Sequence, residues 1–555
     1  MAGENGRDEI AEYIQVKSLA KTWETLWQDL ADYIMPRKSA ITERKTHDVE
    51  GWTDSVFNND AVHANNVSAA GSYDYLFAGR FFDCEPPQEL KDKPRAKRWY
   101  RECAERMIAD LAGSNFQTEI HEALLDRGGF GTCHLHLEEG EKSFYQFSNA
   151  NVGKFYCEED AEGFVNRIWI LWERTACQIV EQFGEENCPK EVLTDYRDVQ
   201  KKHNQRNVIQ SIKPRDKSKR KSGSLLADSK EIASIWTDEA TKHIFRNSGY
   251  DDMPSFVSRY LKWGSDAYGY CPGIEILPTA KQLNFIEMVM DAQAEVTVFP
   301  RMLWPSNMPG NINVYAGGVT LVDPNNSSKQ DYPKEWMTAG RLDEMDKRLE
   351  RKKQAIDRAY HVDLFRMLAQ RDRDMTAREV VERVAEKLVN FSPTYGRITT
   401  ELVSPIVQRM FSMALKAGRF SEPPPEVVQF NKFTGDGFIP QPKITYISKI
   451  ALALRALQNR NFQEYMSIMT PVFEAFPNAA IGVNWEQISK TVGENSGLPV
   501  EFMHTEQVIS DLKEQQAQDA QMEQATQAAA MGAKAAKDAS AVNPAKLEGM
   551  MGQMS

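Results

Sequence analysis

The longest helical pattern in the sequence runs from Thr376 to Gly418, and it constrains the fold more than any other feature. Thr376 and Glu379 form a capping box, in which a hydroxyl and a carboxylate bind the free backbone N–H groups of the first turn. Gly418 marks the end, because the last turn relaxes into a left-handed conformation that glycine adopts cheaply. So long a helix favours a large assembly over a compact enzyme.

Two prolines divide this helix into halves that each have one face to bury. Pro393 and Pro405 each remove a backbone donor and clash one turn upstream, so we expect kinks there, with Gly396 adding slack. Apolar residues recur at helical spacing on both sides of the break: Val380, Val384, Leu388, Phe391, Ile398, Leu402, Ile406, Met410 and Met413.

Length and charge set limits on the class of protein. The 555 residues are 41% hydrophobic and 26% charged, which is ordinary for a globular chain with several domains. The formal net charge of -12 argues against a general nucleic-acid binder, which would carry a basic face. It leaves open a protein that must let DNA slide past it.

The cysteines and the lengths of the apolar runs indicate the cellular compartment in which the protein works. The seven cysteines are scattered and contain no CxxC pair, so we expect free thiols in a reducing environment. The N-terminus lacks the apolar stretch of a signal peptide, and no apolar run approaches the length of a membrane span. The sequence therefore predicts a soluble, cytoplasmic protein.

The N-terminal half predicts helices followed by strands. One helix carries a stripe of apolar side chains from Leu19 to Ile34 and stops at Pro36. Further helices are expected at 68–79 and 96–112. From Gly128 the pattern alternates and predicts an antiparallel meander, with turns at Glu139-Gly140 and Glu162-Gly163. The stretch 201–222, which contains a basic run from Lys213 to Lys221, is expected to be an exposed loop. Two further strands are expected between 234 and 263.

Two long helices flank a Pro/Gly/Asn-rich excursion with short strands. The first is expected from Thr279 to Phe299, behind Pro278. The returning helix has apolar residues at a and d spacing and a dense set of cations, so the two helices can lie antiparallel. Beyond the proline run 423–425, short helices predict a small terminal domain. From about Gln515 the chain is rich in Gln and Ala, which predicts a frayed helix or disorder.

Sequence motifs for catalysis are missing. The chain contains no GxxxxGK[ST] phosphate loop, no HExxH, no GxSxG and no paired-cysteine zinc signature. His134 and His136 share one face of a strand, which permits two ligands of a metal site or, as a simpler interpretation, two packed side chains. Asp372 and Asp374 could hold Mg²⁺, but Arg371 and Arg373 would compete for their carboxylates.

Two basic segments each have two interpretations. The run from Lys213 to Lys221 resembles a nucleic-acid or localisation patch, although a solvated loop is the simpler interpretation. The returning helix combines an apolar seam with Lys and Arg on successive turns, which suits a helix facing a polyanion. Alternatively its acidic residues balance these cations, and it is a helix with salt bridges on its solvent side.

The order of these elements resembles the portal proteins of tailed bacteriophages, the head-to-tail connector family of short-tailed, T7-like phages. The segments that carry the resemblance extend to about Leu512 and are SLAKTWETLWQDLADYIMPRK, SAAGSYDYLFAGRFF, LLDRGGFGTCHL, YGYCPGIEILPTAKQLNFIEMVMDAQ, RDRDMTAREVVERVAEKLVNFSPTYGRITTELVSPIVQRMF and ITYISKIALALRA. The basic loop near Lys213 and the short C-terminal tail depart from the pattern.

The resemblance implies an α+β portal fold that assembles into a ring. Its implied parts are an N-terminal wing of helices and an antiparallel β meander (1–265), stem helix 1 (266–300), a small β-containing clip (301–337), stem helix 2 (338–366), a tunnel loop (367–375), a long kinked wing helix (376–420), a helical crown (421–514) and a Gln/Ala-rich tail (515–555).

The resemblance also implies a structural function without cofactors. The expected role is a dodecameric ring at one capsid vertex of the virion, assembled in the host cytoplasm, through which double-stranded DNA is packaged and ejected. The implied partners are the packaging terminase, tail adaptor and nozzle proteins, major capsid and scaffolding proteins and internal core proteins, with no membrane. The implied sites are the tunnel loop (Gln370, Arg371, Asp372, Arg373, Asp374), the DNA-facing side of the stem (Lys347, Arg348, Arg351, Lys352) and the partner-binding clip (Trp304, Tyr315, Trp336).

The residues themselves are also compatible with two other classes of protein. One is a virion structural protein without a DNA channel, such as an adaptor or an internal core protein. The other is a metal-dependent nuclease that uses Asp372 and Asp374 with a distant carboxylate. An axial hole in the particle would separate the portal from the first, and loss of nuclease activity on changing Asp372 would favour the second.

Overall fold

The computed structural model divides the chain into two compact units, Met1–Ala451 and Leu452–Ser555. It describes residues 2–36, 58–215 without 78 and 92, 230–298 without 265, 302–303, 334–335, 342–369, 392–430 and 437–447. In the second unit it describes a helical stretch at 465–472 and a few single positions. The architecture that follows is that of the first unit.

Helices and strands alternate in blocks along the first unit. The α-helices with defined bounds are α1 (Ala2–Leu19), α2 (Lys21–Tyr33), α3 (Asp60–Leu76), α4 (Pro94–Ala112), α5 (Phe116–Phe130), α6 (Ala176–Phe183), α7 (Lys190–Arg197), α8 (Pro272–Val298), α9 (Leu342–Ala359), α10 (Val362–Ala369) and α11 (Ser404–Lys416). The strands are β1 (Phe82–Glu85), β2 (Thr132–Glu139), β3 (Tyr145–Ser148), β4 (Phe155–Glu159), β5 (Val165–Thr175), β6 (Gln205–Pro214), β7 (Ile232–Asp238), β8 (Ile244–Tyr250), β9 (Ser255–Arg259), β10 (Leu261–Lys262), β11 (Gly269–Tyr270), β12 (Met302–Leu303), β13 (Lys334–Glu335), β14 (Gln429–Phe430), β15 (Gly437–Phe438) and β16 (Lys443–Tyr446).

The predicted antiparallel meander is confirmed as a five-stranded sheet in the order β4-β5-β6-β7-β8. Each strand pairs antiparallel with its neighbour in the chain. The turn between β4 and β5 contains Gly163 at φ +85°, a left-handed conformation that favours glycine. Short turns join β4 to β5 and β7 to β8, whereas helices α6 and α7 lie between β5 and β6.

The expectation of an exposed loop over 201–222 is wrong for residues 205–214, whereas 201–204 form a largely exposed turn. Residues 205–214 form β6 in the middle of the sheet, and Val208 and Ile209 are completely buried on its two faces. The polar residues on either side of them in the sequence misled the interpretation, because a central strand buries both faces. Gln210 is buried too and accepts a hydrogen bond of 2.9 Å from Trp172 Nε1. Residues 216–229 lie outside the described part.

Apolar clusters cover both faces of this sheet. On one face, α6 and α7 pack on Val208, Trp236 and Phe245. On the other, α1, α2 and α8 join Trp169 and Ile209 in the larger core of the unit. Because successive side chains of a strand point to opposite faces, one strand contributes to both clusters.

A three-stranded sheet, β3-β2-β9, lies beside the larger sheet. The segment expected to hold two strands, 234–263, therefore holds three main strands, and the last of them belongs to this second sheet. The strand pattern also begins later than the expected Gly128, because Gly128 and Gly129 lie in the last turn of helix α5, which ends at Phe130. A Cβ on Gly129 would lie 2.6 Å from Met35 Cγ, so the glycines allow close packing of α5 that alternation in the sequence does not reveal.

The C-terminal end of the first unit returns to its N-terminal part. Strand β16 pairs antiparallel with β1, with Phe82 opposite Tyr446 and Glu85 opposite Lys443. Tyr100 donates a hydrogen bond of 2.8 Å to the carbonyl of Pro440. Residues 421–430 and 437–447 therefore belong to the first unit, which ends at Ala451. The predicted crown, 421–514, stays a prediction.

Candidate functional site

Helices α8 and α9 form an antiparallel hairpin. The strand after α8 and the strand before α9 pair antiparallel, with Met302 opposite Glu335. Lys352 of α9 donates a hydrogen bond of 2.5 Å to Gln282 of α8. Helix α8 begins at Pro272, seven residues before the predicted Thr279, and Pro278 lies inside it. The chain between the two short strands lies outside the described residues.

Polar contacts fix the base of this hairpin to the start of α3. The backbone N–H of Asn58 donates to Asn284 Oδ1 over 3.0 Å, and its side-chain amide donates to Glu287 over 2.9 Å. Lys353 of α9 lies 3.1 Å from the Asp60 carboxylate. Asn58 and Asn284 are buried, so these hydrogen bonds satisfy polar groups that would otherwise be costly to bury. One helix end thus positions both long helices.

Helix α9 separates an apolar seam from a charged face, as its sequence predicts. Leu349 and Ile356 point into the unit, whereas Lys347, Arg348 and Arg351 are exposed. Within the described residues these three cations make no ion pair, so their charge is available to a partner. Lys352, which was predicted with them, is half-buried against Gln282. Three of the four predicted stem cations therefore lie on the exposed face of α9.

The expected second stem helix, 338–366, is interrupted. Helix α9 ends at Ala359, and His361 adopts φ +55°, an uncommon left-handed conformation for a residue with a Cβ. The chain then turns into α10, whose Phe365 packs on α3, where the missing Cβ of Gly71 makes room for the ring. Tyr75 stacks on the same ring at 6.2 Å. The break at His361 and the packing of Phe365 together set the direction of helix α10.

The predicted tunnel loop is only partly described. Residues 367–369 are the helical end of α10 and not a loop. Gln370, Arg371, Asp372, Arg373 and Asp374 lie outside the described residues, as do the predicted clip residues Trp304, Tyr315 and Trp336. Their roles stay predictions, as does the capping box at Thr376.

The described part of the long helix, from residue 392, is continuous to Lys416 and contains a π-helical turn at Thr399–Val403. Pro405 lies two residues after the end of this turn, and its missing N–H removes a helical hydrogen bond near the point where the helix widens. Gly418 has φ +64°, Arg419 N donates to Ala414 O and Gly418 N donates to Leu415 O. This Schellman motif confirms the predicted C-terminus.

A buried ion-pair cluster holds the π-helical turn against the two sheets. Glu401 accepts hydrogen bonds from Arg259 Nη2 and from Arg397 Nη1, both at 2.7 Å, and from the Arg259 backbone N–H at 2.8 Å. Arg259, whose side chain is only 2% exposed, also pairs with Glu159, which in turn binds Lys262 at 2.7 Å. The carboxylates of Glu401 and Glu159 thus each bind two cations.

Beside this cluster an open cleft of about 480 Å³ separates the helix from the sheet turns. Gly163 and Phe164 line it on one side, and Pro393, Gly396 and Thr400 line it on the other. The cations that reach the cleft already bind carboxylates of the same chain, so its lining residues offer no unpaired cation to an anionic ligand. The cluster is a structural clamp on the helix. Sequence reasoning missed it, although Arg259 stands out as a lone cation in an apolar strand.

The histidine pair is buried in the three-stranded sheet. His134 is completely buried, and neither ring nitrogen has a hydrogen-bond partner among the described residues. His136 shares a hydrogen bond of 2.6 Å with Ser255 and lies 3.0 Å from the carboxylate of Glu138. Burial, and then the neighbouring His136, lower the pKa of His134 well below its ordinary value. The pair is therefore packed and neutral at His134.

The described residues contain no arrangement of three or more His, Cys, Asp or Glu side chains that could hold a metal ion. All seven cysteines are free, as predicted, and burial raises the pKa of most of their thiols. Among the described helices, none has the length and apolar character that crossing a membrane requires.

Comparison with known proteins gives matches that cover most of the chain. The family model described as bacteriophage head to tail connecting protein matches residues 8–503. A probable portal protein of Bordetella phage BPP-1 is 24% identical over 531 residues, which cover 92% of this chain and 90% of the relative. A portal protein of Salmonella phage epsilon15 is 23% identical over 521 residues, with the same shares of both chains.

Proposed function

The chain belongs to the family of bacteriophage head to tail connecting proteins, and from this we propose that it forms a dodecameric ring whose axial channel passes double-stranded DNA. A portal protein is structural, and it sits at a vertex of the capsid in the virion. The family match over almost the whole chain carries the proposal. The mixed helical and strand architecture supports it.

We assign the α8–α9 hairpin to the stem of the ring, with the chain between β12 and β13 as the clip. Lys347 and Arg351 lie one helical turn apart on the exposed face of α9 and make no ion pair among the described residues, so they suit the phosphate backbone of passing DNA. Arg348 lies about 100° around the helix from Lys347 and belongs to its flank. Because the chain as a whole carries a net charge of -12, such local cations would hold DNA loosely.

We further propose that residues 370–374 form the tunnel loop at the far end of α10 from the stem. Alternating Arg and Asp there can contact DNA without binding it tightly. The clip would contact the packaging terminase and the tail adaptor and nozzle proteins, through Trp304, Tyr315 and Trp336 among others. The outer surface would meet the major capsid and scaffolding proteins and internal core proteins. Assembly would take place in the host cytoplasm.

A double change in the proposed loop tests the channel function. Arg371→Ala with Arg373→Ala should leave rings intact and change the fraction of packaged DNA that particles retain, because two phosphate contacts per subunit disappear. The measurement is encapsidated DNA per particle after packaging.

The matched control is Arg98→Ala with Arg197→Ala, two arginines with side chains 84% and 73% exposed on helices of the body. It should behave as the unmodified protein. Equal DNA retention in the loop variant and in the control would remove residues 371 and 373 from the channel function.

A second function is a virion structural protein without a channel, such as an adaptor or internal core protein. The exposed apolar positions on α8 suit any oligomer, whether or not it encloses a hole. An image of the purified particle along its axis separates the two functions. A nuclease has no support among the described residues, since Asp372 and Asp374 lie outside them.

A further inference from the structure

Helix α8 exposes apolar side chains on the side opposite to its buried seam. Leu283 and Ala280 are completely buried, whereas Phe285 is 62% exposed and Met288 is 41% exposed. Ala292 continues this exposed side one turn further along the helix. Exposed phenylalanine and methionine on adjacent turns of a helix are costly in water, and aromatic and methionine side chains are enriched at protein interfaces.

The charges on the same surface exclude DNA as its partner. Asp291 and Glu295 are the exposed charged residues on the last described turns of α8, and both are acidic. Neither makes an ion pair within the described residues. A phosphate backbone would be repelled by these carboxylates and would gain nothing from the apolar side chains. This side of the hairpin therefore faces protein and not the channel.

A second copy of the chain complements this surface. The flank of α9 presents Arg348, which is exposed and has no partner in the described part of its own chain. In a ring each subunit makes a head-to-tail contact, so one side of the hairpin must fit the opposite side of the next copy. The charge of Arg348 is opposite to the charges of Asp291 and Glu295, as a charge-complementary contact requires.

We propose that the face of α8 formed by Phe285, Met288 and Ala292, with Asp291 and Glu295 beside it, packs against the α9 flank that carries Arg348 of the neighbouring subunit. This assignment rests on the proposed ring. It goes further by naming which side of the hairpin makes the subunit contact and which side, that of Lys347, is left for the channel.

Phe285→Glu tests the interface. Phe285 is already exposed in the single chain, so the change should leave the fold of the subunit intact, with an unchanged circular dichroism spectrum. It places a charge in an apolar contact, and we expect the protein concentration at half-assembly, measured by sedimentation velocity, to rise by at least about tenfold. The control Phe430→Glu changes a phenylalanine that is 70% exposed elsewhere and should assemble normally.

A pair of neighbouring cations provides a second test that does not depend on Phe285. Arg348→Glu should weaken assembly because it puts a carboxylate opposite Asp291 and Glu295, whereas Lys347→Glu should leave assembly unchanged. Normal assembly of Phe285→Glu, or equal weakening by the two charge reversals, would overturn the interface. A failure of the unmodified protein to form rings would instead overturn the proposed function, so the two failures are distinguishable.

Discussion

His134 is a residue whose burial makes the stability of the protein depend on pH. Its ring packs 5.1 Å from Phe155 and 6.3 Å from His136, and neither ring nitrogen has a hydrogen-bond partner in the described part of the chain. In the unfolded chain a histidine titrates at its ordinary pKa near 6.5. In the fold its pKa lies well below that value. As the pH falls, His134 therefore takes up a proton at a higher pH in the unfolded chain than in the folded protein.

We predict that the stabilisation associated with neutral His134 is complete above about pH 6.5 and is lost as the pH falls below it. Each pKa unit of difference corresponds to about 1.4 kcal/mol. His134→Leu should flatten the decrease of the melting temperature between pH 7.5 and pH 5.5. His203→Leu, a change at an exposed turn, should leave that decrease as it is. An unaltered pH profile in His134→Leu would contradict the prediction.

Glu401 is the residue on which the clamp of the long helix depends. Its carboxylate is 8% exposed and binds Arg259, which is 2% exposed. Removing one partner of a buried pair leaves an uncompensated charge, which typically costs about 3 kcal/mol. We expect Glu401→Gln to lower the free energy of unfolding of the unit in urea by about this amount.

The exposed pair of Arg98 and Glu102, with side chains 84% and 46% exposed, is the control. Glu102→Gln should change the free energy of unfolding by less than about 1 kcal/mol, since exposed pairs contribute little. If both glutamine variants unfold at the same urea concentration, the cluster around Arg259 does not hold the helix.

Among the elements, α3 positions the rest of the proposed stem. Its start binds both long helices through Asn58 and Asp60, and its middle receives Phe365 of α10. A Cβ at Gly71 would lie 2.3 Å from the Phe365 ring, too close for the two elements to keep their positions. The direction of α10, and with it the start of the proposed tunnel loop, depends on this glycine.

We expect Gly71→Ala to destabilise the unit by about 1 to 3 kcal/mol, in the range of overpacked cores. Combining Gly71→Ala with Phe365→Leu should restore part of the lost stability, because the smaller side chain leaves space for the added methyl group. Gly396→Ala is the matched control, since this helical glycine has no atom within 4 Å of the added Cβ, and alanine there should be neutral or stabilising. Thermal unfolding of the four proteins measures these effects, and a neutral Gly71→Ala would refute the role of this contact.

The elements also show what a sequence can and cannot predict. Strong periodicity identified α2, α4, α9 and the meander, and Gly418 identified a helix end, because each signal is local. The break at His361 was not predicted, because nothing in its neighbourhood signals a left-handed residue. Strand β6 was missed because its burial comes from neighbouring strands and helices, and the Arg259 cluster because its partners lie more than 90 residues apart.

At the scale of the whole molecule, the chain is a head-to-tail connecting protein whose first unit joins two antiparallel sheets to a long helical hairpin. The resemblance stated from sequence segments is confirmed by the family match and by the portal proteins of two phages. The finer assignments, of stem, clip, tunnel loop and crown, concern surfaces that only an assembled ring would bring together.

Electron microscopy of the purified full-length protein, viewed along the particle axis and combined with sedimentation velocity, tests the proposed channel most directly. We expect rings of about a dozen subunits with an open axial hole wide enough for a DNA duplex of roughly 20 Å, as judged from its groove dimensions. A monomer at all concentrations, or a closed particle without an axial hole, would contradict the portal ring and favour a structural protein without a channel.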